Sequence, residues 1–286
     1  MNSVLARRTR ILAATTAAAG LLLVAGCTST DDGGSGGTKT AAGGVELVKA
    51  GQLTTCTHLP YPPFQSEIDG KVQGFDVALI DLVAKDLGVK QVIRDTPFEN
   101  FKTGAFLNSG ECDLAAAGMT ITDERKKNVD FSDPYFDATQ AVLADKGAKI
   151  GSFADLKGKK VGAQAQTTGE DYAKSQGLDP VSFESSDAVL NGLRSGQVDA
   201  VVIDYPVVQG WLKDKANADA FEVADNVNTG EQYGFTVKKG NAKLLAAVNK
   251  ALSEARSDGT YRELYEKWIG PYDESAASAS PSASAS

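Results

Sequence analysis

The sequence predicts an α/β protein of two similar lobes, each a mostly parallel sheet flanked by helices. Two observations support this fold class. Residues 107–118, LNSGECDLAAAG, resemble residues 193–204, LRSGQVDAVVID, and both read Leu-x-Ser-Gly-x-x-Asp before a short apolar run. In addition, apolar runs of strand length alternate with amphipathic helical patterns along the chain, which is typical of parallel βαβ sheets.

The individual elements follow from the spacing of apolar residues. Each half of the repeat predicts the end of a helix, a glycine cap and then a buried strand. Apolar residues at helical spacing predict helices in residues 74–88, 185–196 and 241–259. The segments QLTTCTHL, residues 52–59, and KKVGAQA, residues 159–165, are typical of strands.

The repeat also predicts where a ligand binds. In open α/β sheets, ligands bind beyond the carboxyl ends of the strands, and the two equivalent ends are Gly118 and Asp204. Arg125 follows Gly118 in the first turn of a helix whose predicted N-cap is Thr122, where the helix dipole disfavours a cation. We interpret Arg125 as an anion site facing Asp204 across a cleft, an arrangement that fits a zwitterion. Two alternatives stay open, namely a solvated Arg125 and an Asp204 that only caps a helix or forms an Asx turn.

The N-terminus is typical of a targeting segment. Three arginines within the first ten residues precede a small apolar stretch, residues 11–25, which suits a secretory signal and is short for a membrane span. It ends in LVAGC, which resembles a lipoprotein lipobox, so we expect residues 1–27 to be a signal peptide and Cys27 to carry the lipid. An ordinary secretory signal with a chance cysteine is the alternative. Two acyl chains anchor a protein stably.

Composition limits the function classes. Residues 28–44 and 273–286 are rich in small polar residues, and we predict a flexible linker and a disordered tail. Without the three arginines of the signal, 26 basic and 37 acidic side chains leave a net charge of −11, which argues against nucleic-acid binding. One histidine and no C-x-x-C motif argue against a structural zinc site, and we expect no metal or cofactor.

Five motifs in this order resemble the family 3 extracellular solute-binding proteins, the amino-acid receptors of ABC transporters. They are YPPF (61–64), GKVQGFDVALIDLVAKDLG (70–88), GMTITDERKKNVDFSDPYF (118–136), GQVDAVVIDYPV (196–207) and DGTYRELYEKWIG (258–270). The resemblance implies a two-lobed periplasmic-binding-protein fold of type II. It places lobe 1 at residues 45–134 and 227–272, lobe 2 at 140–221, and hinge strands at about 135–139 and 222–226.

The resemblance also implies a function and a set of roles. The protein is expected to be a monomer on the outer face of the cell membrane that captures a polar amino acid and delivers it to an ABC permease. Arg125 would form a two-pronged contact with the ligand carboxylate, since a guanidinium matches its geometry, and Asp204 would take the ammonium group. The remaining implied ligand-binding residues are Thr120, the Gly118 carbonyl, Thr168, Gly169, Tyr61, Phe98 and His58.

Three departures from the family pattern bear on the site. Gln166 stands where the loop usually has glycine, and Phe101 competes with Phe98 for the aromatic role. His58 replaces an aspartate of receptors for basic amino acids and glutamine, so we expect a neutral polar or acidic ligand to bind better than a basic one. The alternative is that His58 only hydrogen-bonds the loop before Pro60.

The resemblance further implies that Cys56 and Cys112 lie on neighbouring strands of the first lobe. In an oxidising compartment we expect a disulfide between them, with two separate buried thiols as the alternative.

Two other functions compete. Some relatives on this fold dehydrate arogenate or prephenate, but no acid–base pair or nucleophile motif is evident here. The second competing function is a sensory module, which normally adds a transmembrane segment and a signalling domain, and neither is evident in this sequence.

Overall fold

The computed structural model describes residues 39–273. The predicted signal peptide with Cys27, the predicted linker up to residue 38 and the predicted tail from residue 274 lie outside the described residues. Within residues 39–273, no helix combines the length and the apolar composition that crossing a bilayer requires.

Twelve strands and ten α-helices make up the described part of the chain. The strands are β1 (Gln52–Thr57), β2 (Ser66–Ile68), β3 (Lys71–Gln73), β4 (Lys90–Asp95), β5 (Leu114–Ala115), β6 (Val129–Phe131), β7 (Phe136–Asp145), β8 (Val161–Gln164), β9 (Val181–Phe183), β10 (Ala200–Asp204), β11 (Phe221–Tyr233) and β12 (Thr236–Lys238). The helices are α1 (Phe75–Asp86), α2 (Glu99–Thr103), α3 (Ala105–Asn108), α4 (Asp123–Lys126), α5 (Thr168–Ser175), α6 (Ser186–Arg194), α7 (Tyr205–Trp211), α8 (Lys215–Ala220), α9 (Ala242–Ser257) and α10 (Thr260–Trp268).

Two five-stranded sheets form the centres of the two lobes, with strand orders β4-β1-β5-β12-β6 and β9-β8-β10-β7-β11. In the first sheet, β4, β1 and β5 pair in parallel and β12 runs antiparallel to both of its neighbours. In the second sheet, β9, β8 and β10 are parallel and β7 is antiparallel to both of its neighbours. Four of the five strands in each sheet therefore point the same way, which confirms the predicted mostly parallel architecture.

The sequence repeat corresponds to a structural repeat. β5 and β10 each occupy the third position of their sheet. The glycine of each repeat, Gly110 or Gly196, has a positive φ of 73° or 69° just after a helix, the conformation that closes a helix C-terminus and that glycine adopts without steric cost. The repeat is therefore a helix end, a left-handed glycine and a central strand in both lobes.

The shared aspartate of the repeat supports the neighbouring strand. Asp113 accepts hydrogen bonds from the backbone N–H groups of Val48 and Thr54, at distances of 2.6 and 2.7 Å. Asp199 accepts one from the N–H of Lys160 at 2.8 Å. Each carboxylate thus ties the strand before it in the sheet, β1 or β8, to the start of the central strand.

The lobes are joined by β7 and β11, which pair antiparallel along their length. The first predicted crossing, residues 135–139, includes the start of β7, where residues 136–138 pair with residues 231–233. The second predicted crossing, residues 222–226, instead pairs with residues 141–144 inside the second sheet. Two hinge segments must lie side by side to bend together, so we propose the second crossing at residues 231–233 in place of 222–226.

The chain is folded against the first lobe before the predicted lobe boundary. Thr40 forms a bridge with Glu46, residues Ala42–Gly44 form a 3-10 turn, and Ala41 packs against the hydrophobic core. The last residues of the predicted linker are therefore part of the folded lobe.

Cys56 and Cys112 are joined by a disulfide, with their Cα atoms 5.8 Å apart. Cys56 lies on β1, and Cys112 lies two residues before β5, which pairs with β1. Both cysteines belong to an apolar cluster that includes Phe101 and Phe106. The bond thus links β1 to the segment that leads into the neighbouring strand β5, in the same apolar cluster as Phe98.

Candidate functional site

The candidate site lies where the carboxyl ends of two strands of the first sheet, β1 and β5, meet those of two strands of the second sheet, β8 and β10. We call this place the cleft. β1 leads to Tyr61 and β5 leads to Gly118 and Thr120 in the first lobe. β8 leads to the start of α5, and β10 ends at Asp204 in the second lobe. The fold therefore brings the sequence-predicted residues of both lobes to one place, as the repeat predicted.

Arg125 is a buried cation without an anionic partner in the described chain. Its side chain reaches the cleft from α4, where the Thr122 hydroxyl caps the helix by accepting the Arg125 N–H. Arg125 is 5 % exposed, and its guanidinium donates to the carbonyl oxygens of Thr120 at 2.9 Å and Gln166 at 3.1 Å. Burial lowers its pKa, and the charge of Asp204 opposes that shift. A buried guanidinium bonded only to carbonyls is well suited to accept an anion.

Hydrogen bonds between uncharged groups of the two lobes, and from Arg125 to the second lobe, lie beside each other here. The Thr120 and Thr168 hydroxyls are 3.2 Å apart, and the Gln166 carbonyl that Arg125 contacts belongs to the second lobe. Gln166 has a φ of 65°, a left-handed conformation that favours glycine. This conformation fits the glycine that the family resemblance implies at the position, and this chain adopts it with glutamine.

Asp204 is the buried carboxylate on the opposite side of the cleft. The hydroxyls of Tyr61 and Tyr233 both donate to its Oδ2, at 2.5 Å from Tyr61, and the amide of Gln140 donates to Oδ1 at 2.5 Å. Burial raises the pKa of Asp204, while the three donors and the charge of Arg125 act to lower it. All three donors are uncharged, so the carboxylate has no cation in hydrogen-bond contact among the described residues.

Glu231 is a second carboxylate at this end of the cleft, and the sequence analysis missed it. The Gln140 amide nitrogen that donates to Asp204 also donates to Glu231, at 2.7 Å. Burial and the nearby charge of Asp204 raise the pKa of Glu231. The sequence analysis also missed Tyr233, which lies two residues after Glu231 on the same face of β11, and no sequence pattern marked either residue.

Gly118 and Tyr61 fit each other closely. Gly118 has a φ of 55°, and a Cβ there would lie 2.9 Å from Tyr61 Cε1, so only glycine lets the tyrosine ring pack against the loop. The Gly118 N–H donates to the buried carboxylate of Asp76 at 2.9 Å, and the Tyr135 hydroxyl donates to the same side chain at 2.6 Å. Burial outweighs these bonds and raises the pKa of Asp76 to about 6.

The two candidate phenylalanines occupy different places. The Arg125 guanidinium carbon lies 5.9 Å from the centre of the Phe98 ring. Phe101 is fully buried behind Phe98 and stacks on it with ring centres 5.4 Å apart. The geometry therefore favours Phe98 for the aromatic role and gives Phe101 a supporting position.

His58 is largely buried at the end of β1. Its Nδ1 lies 3.0 Å from the Thr96 carbonyl oxygen and 4.0 Å from Asp95 Oδ1, and its ring centre is 6.0 Å from that of Phe98. Its Nε2 is buried without a hydrogen-bond partner in the described part of the chain. The bond to Thr96 replaces the contact with the loop before Pro60 that was the sequence-based alternative.

Gly169 packs against the hinge strand. A Cβ at this position would lie 2.7 Å from Gln140 Oε1, so a side chain would push the second-lobe loop away from β7.

Among residues 39–273, no group of His, Cys, Asp or Glu side chains is arranged to hold a metal ion.

Comparison with known proteins gives a consistent result. A model of the family described as bacterial extracellular solute-binding proteins, family 3, matches residues 53–271. A probable histidine-binding protein of Neisseria gonorrhoeae is 36 % identical over 215 residues, which cover 73 % of this chain and 80 % of that protein. The glutamine-binding protein GlnH of an ABC transporter in Bacillus subtilis is 36 % identical over 204 residues, covering 70 % and 74 %.

A solved structure agrees with the fold. An ancestral arginine-binding protein bound to glutamine superposes with a TM-score of 0.73 at 42 % identity and covers 78 % of this chain and 99 % of its own.

Proposed function

Because this chain belongs to the bacterial extracellular solute-binding proteins of family 3, we propose that it captures a polar amino acid as a zwitterion between its two lobes and delivers it to the permease of an ABC transporter. The observation that carries this proposal is the pair of buried opposite charges, Arg125 and Asp204. Both face one cleft, and both are hydrogen-bonded only to uncharged groups. An α-carboxylate and an α-ammonium group supply the two missing counterions.

Each residue has a proposed role that follows from its chemistry. The Arg125 guanidinium turns from the backbone carbonyls to the ligand carboxylate, to which it can donate two parallel hydrogen bonds. The hydroxyls of Thr120 and Thr168 add donors to the same anion from opposite lobes. Asp204 takes the ammonium group, and the rings of Tyr61 and Phe98 flank the apolar part of the ligand.

The other proposed contacts are made by the backbone and the second lobe. The Gly118 carbonyl accepts from the ammonium group, and Gly169 lets the second-lobe loop approach the carboxylate. Since these contacts come from both lobes, ligand binding stabilises their closed arrangement.

The relatives support binding over catalysis. They are transport binding proteins named for histidine and glutamine, and the protein is classed with them as a binding protein and not an enzyme. The alternative of an arogenate- or prephenate-type dehydratase therefore has no support from these two relatives.

We assign the protein to the outer face of the cell membrane through a lipid on Cys27. A Cys27→Ser protein should lose acylation and be released by washing, while ligand binding by its folded lobes is unchanged. A variant that remains in the membrane fraction would contradict the lipid anchor.

A thermal-shift screen of the twenty amino acids tests the proposed function. Ligand that binds only the folded state raises Tm by mass action, so we expect at least one polar amino acid to raise Tm by several degrees at 1 mM. A flat response to all twenty, with the protein folded by circular dichroism, would contradict amino-acid binding.

A further inference from the structure

The charges of the cleft do not balance an ordinary zwitterion. Arg125 supplies one positive charge, whereas Asp204 and Glu231 supply two negative charges that share the amide nitrogen of Gln140. An amino acid with a neutral side chain brings one charge of each sign, so one of the two carboxylates then stays uncompensated or takes up a proton, the direction in which burial shifts both pKa values. A ligand with a second positive charge neutralises it, and buried charges need such compensation.

Gln140 does not balance the charge of the two carboxylates. The residue is fully buried, and its amide nitrogen must face the two carboxylates because its carbonyl oxygen would repel them. The remaining atom, Gln140 Oε1, packs against Gly169 and has no hydrogen-bond partner in the described chain. The only polar group of Gln140 that faces the two carboxylates is therefore its uncharged amide nitrogen.

His58, which lies next to the Phe98 ring, provides an independent observation. The Thr96 carbonyl can only accept, so His58 Nδ1 must carry the proton that joins them. In the neutral ring, Nε2 is then an acceptor, and it is buried without a partner in residues 39–273. The Asp95 carboxylate close to His58 adds negative charge to the same side. With Nδ1 donating to Thr96, the lone pair of Nε2 favours a hydrogen-bond donor.

We infer that the site selects an amino acid with a cationic, donor-rich side chain of the guanidinium or ammonium type, an inference that rests on the proposed function. Glu231 supplies the balancing charge, and His58 Nε2 accepts a hydrogen bond from the ligand side chain. This inference reverses the expectation drawn from the sequence, where His58 in place of an aspartate suggested a neutral or acidic ligand. The tautomer and Glu231 are the two features that the sequence did not reveal.

Arginine and citrulline form a matched pair of probes, because citrulline has nearly the shape and donors of arginine without the charge. By calorimetry at pH 7.5, we expect arginine to bind at least tenfold more tightly than citrulline and glutamine, and glutamate to bind weakest. Glu231→Gln should reduce the arginine-to-citrulline ratio at least fivefold. Glu222→Gln, the same change at an exposed position of β11, should leave the ratio unchanged.

His58→Phe separates the acceptor from the charge. It should weaken arginine and citrulline binding by a similar factor, since both ligands donate to Nε2, and leave their ratio near that of the wild type.

Each outcome has a definite meaning. Citrulline or glutamine binding as tightly as arginine, or a ratio unchanged in Glu231→Gln, would overturn the inference and leave the proposed amino-acid binding intact. No binding of any amino acid would instead overturn the proposed function. If Glu231→Gln does not fold, the wild-type ratio between arginine and citrulline decides alone.

Discussion

The ends of β5 and β10 have the same scaffold and opposite chemistry. Both strands follow a left-handed glycine and an aspartate that ties down the neighbouring strand. After β5 the chain turns at Gly118 and reaches Arg125, whereas β10 ends directly in Asp204. The comparison teaches that the repeated part builds the lobe and the part beyond the strand end sets the charge offered to the cleft.

The largest expected effect comes from breaking the cationic end. Arg125→Lys keeps the charge and loses the two-pronged geometry, so ligand affinity should fall by about 2–5 kcal/mol, roughly thirtyfold to several thousandfold. Calorimetry with the amino acid that raises Tm most measures the loss. Near-native affinity would remove Arg125 from the proposed site.

The anionic end should be nearly as sensitive. Asp204→Asn removes the charge while retaining groups that can hydrogen-bond the hydroxyls of Tyr61 and Tyr233, so we expect a loss of about 2–4 kcal/mol in binding with a modest change in Tm. If the variant binds within threefold of the wild type, Asp204 has only a structural role at the start of α7.

Asp76, whose carboxylate accepts the Gly118 N–H after β5, should make the free energy of unfolding depend on pH. The pKa of Asp76 is raised to about 6 by burial, so the folded state binds its proton more tightly than the unfolded chain does. This contribution to stability is fully present below about pH 4 and is lost as the pH rises through 6. Relative to Asp76→Asn, the wild type should lose up to about 3 kcal/mol of unfolding free energy between pH 4 and 7.

Urea unfolding of both proteins at four pH values within that range measures the Asp76 effect. The other titrating groups cancel in the difference between the two proteins. A difference that is independent of pH would mean that Asp76 titrates normally.

Replacing the two aspartates of the repeat, Asp113 and Asp199, should lower the free energy of unfolding by smaller and unequal amounts. Asp113 is buried and accepts two backbone N–H bonds, and Asn can keep only one of them, so Asp113→Asn should cost about 1–2 kcal/mol. Asp199 is exposed and accepts one bond that Asn can keep, so Asp199→Asn should cost under about 0.5 kcal/mol. Urea unfolding compares the two, and equal costs would show that the scaffolds are not anchored as described.

Much of the architecture could be predicted because it depends on local patterns. The repeat located the two central strands, and the strand-end rule brought Arg125 and Asp204 to one cleft. We propose a different second hinge from the one expected, because the pairing register of β7 and β11 is set by contacts between distant segments. Neither local spacing nor a family motif could fix that register.

The finer parts of the site depend on long-range contacts. The sequence left Cys56 and Cys112 as a disulfide or two thiols, and the structure shows the disulfide. It also left Phe98 and Phe101 as alternatives, and the contact of Phe98 with Arg125 favours Phe98. Glu231 is recognised as a cleft residue by its hydrogen bond with Gln140, a residue 91 positions away in the sequence. The tautomer of His58 is set by the Thr96 carbonyl, which no sequence pattern could indicate.

The central claim is that one zwitterion bridges Arg125 and Asp204. Calorimetry on the wild-type protein tests it directly with three probes, namely the amino acid that raises Tm most, its carboxamide and its N-acetyl derivative. The carboxamide lacks the anion for Arg125, and the N-acetyl form lacks the cation for Asp204. The account predicts that each derivative binds at least a hundredfold more weakly than the free amino acid. A derivative that binds within tenfold of the free amino acid would contradict it.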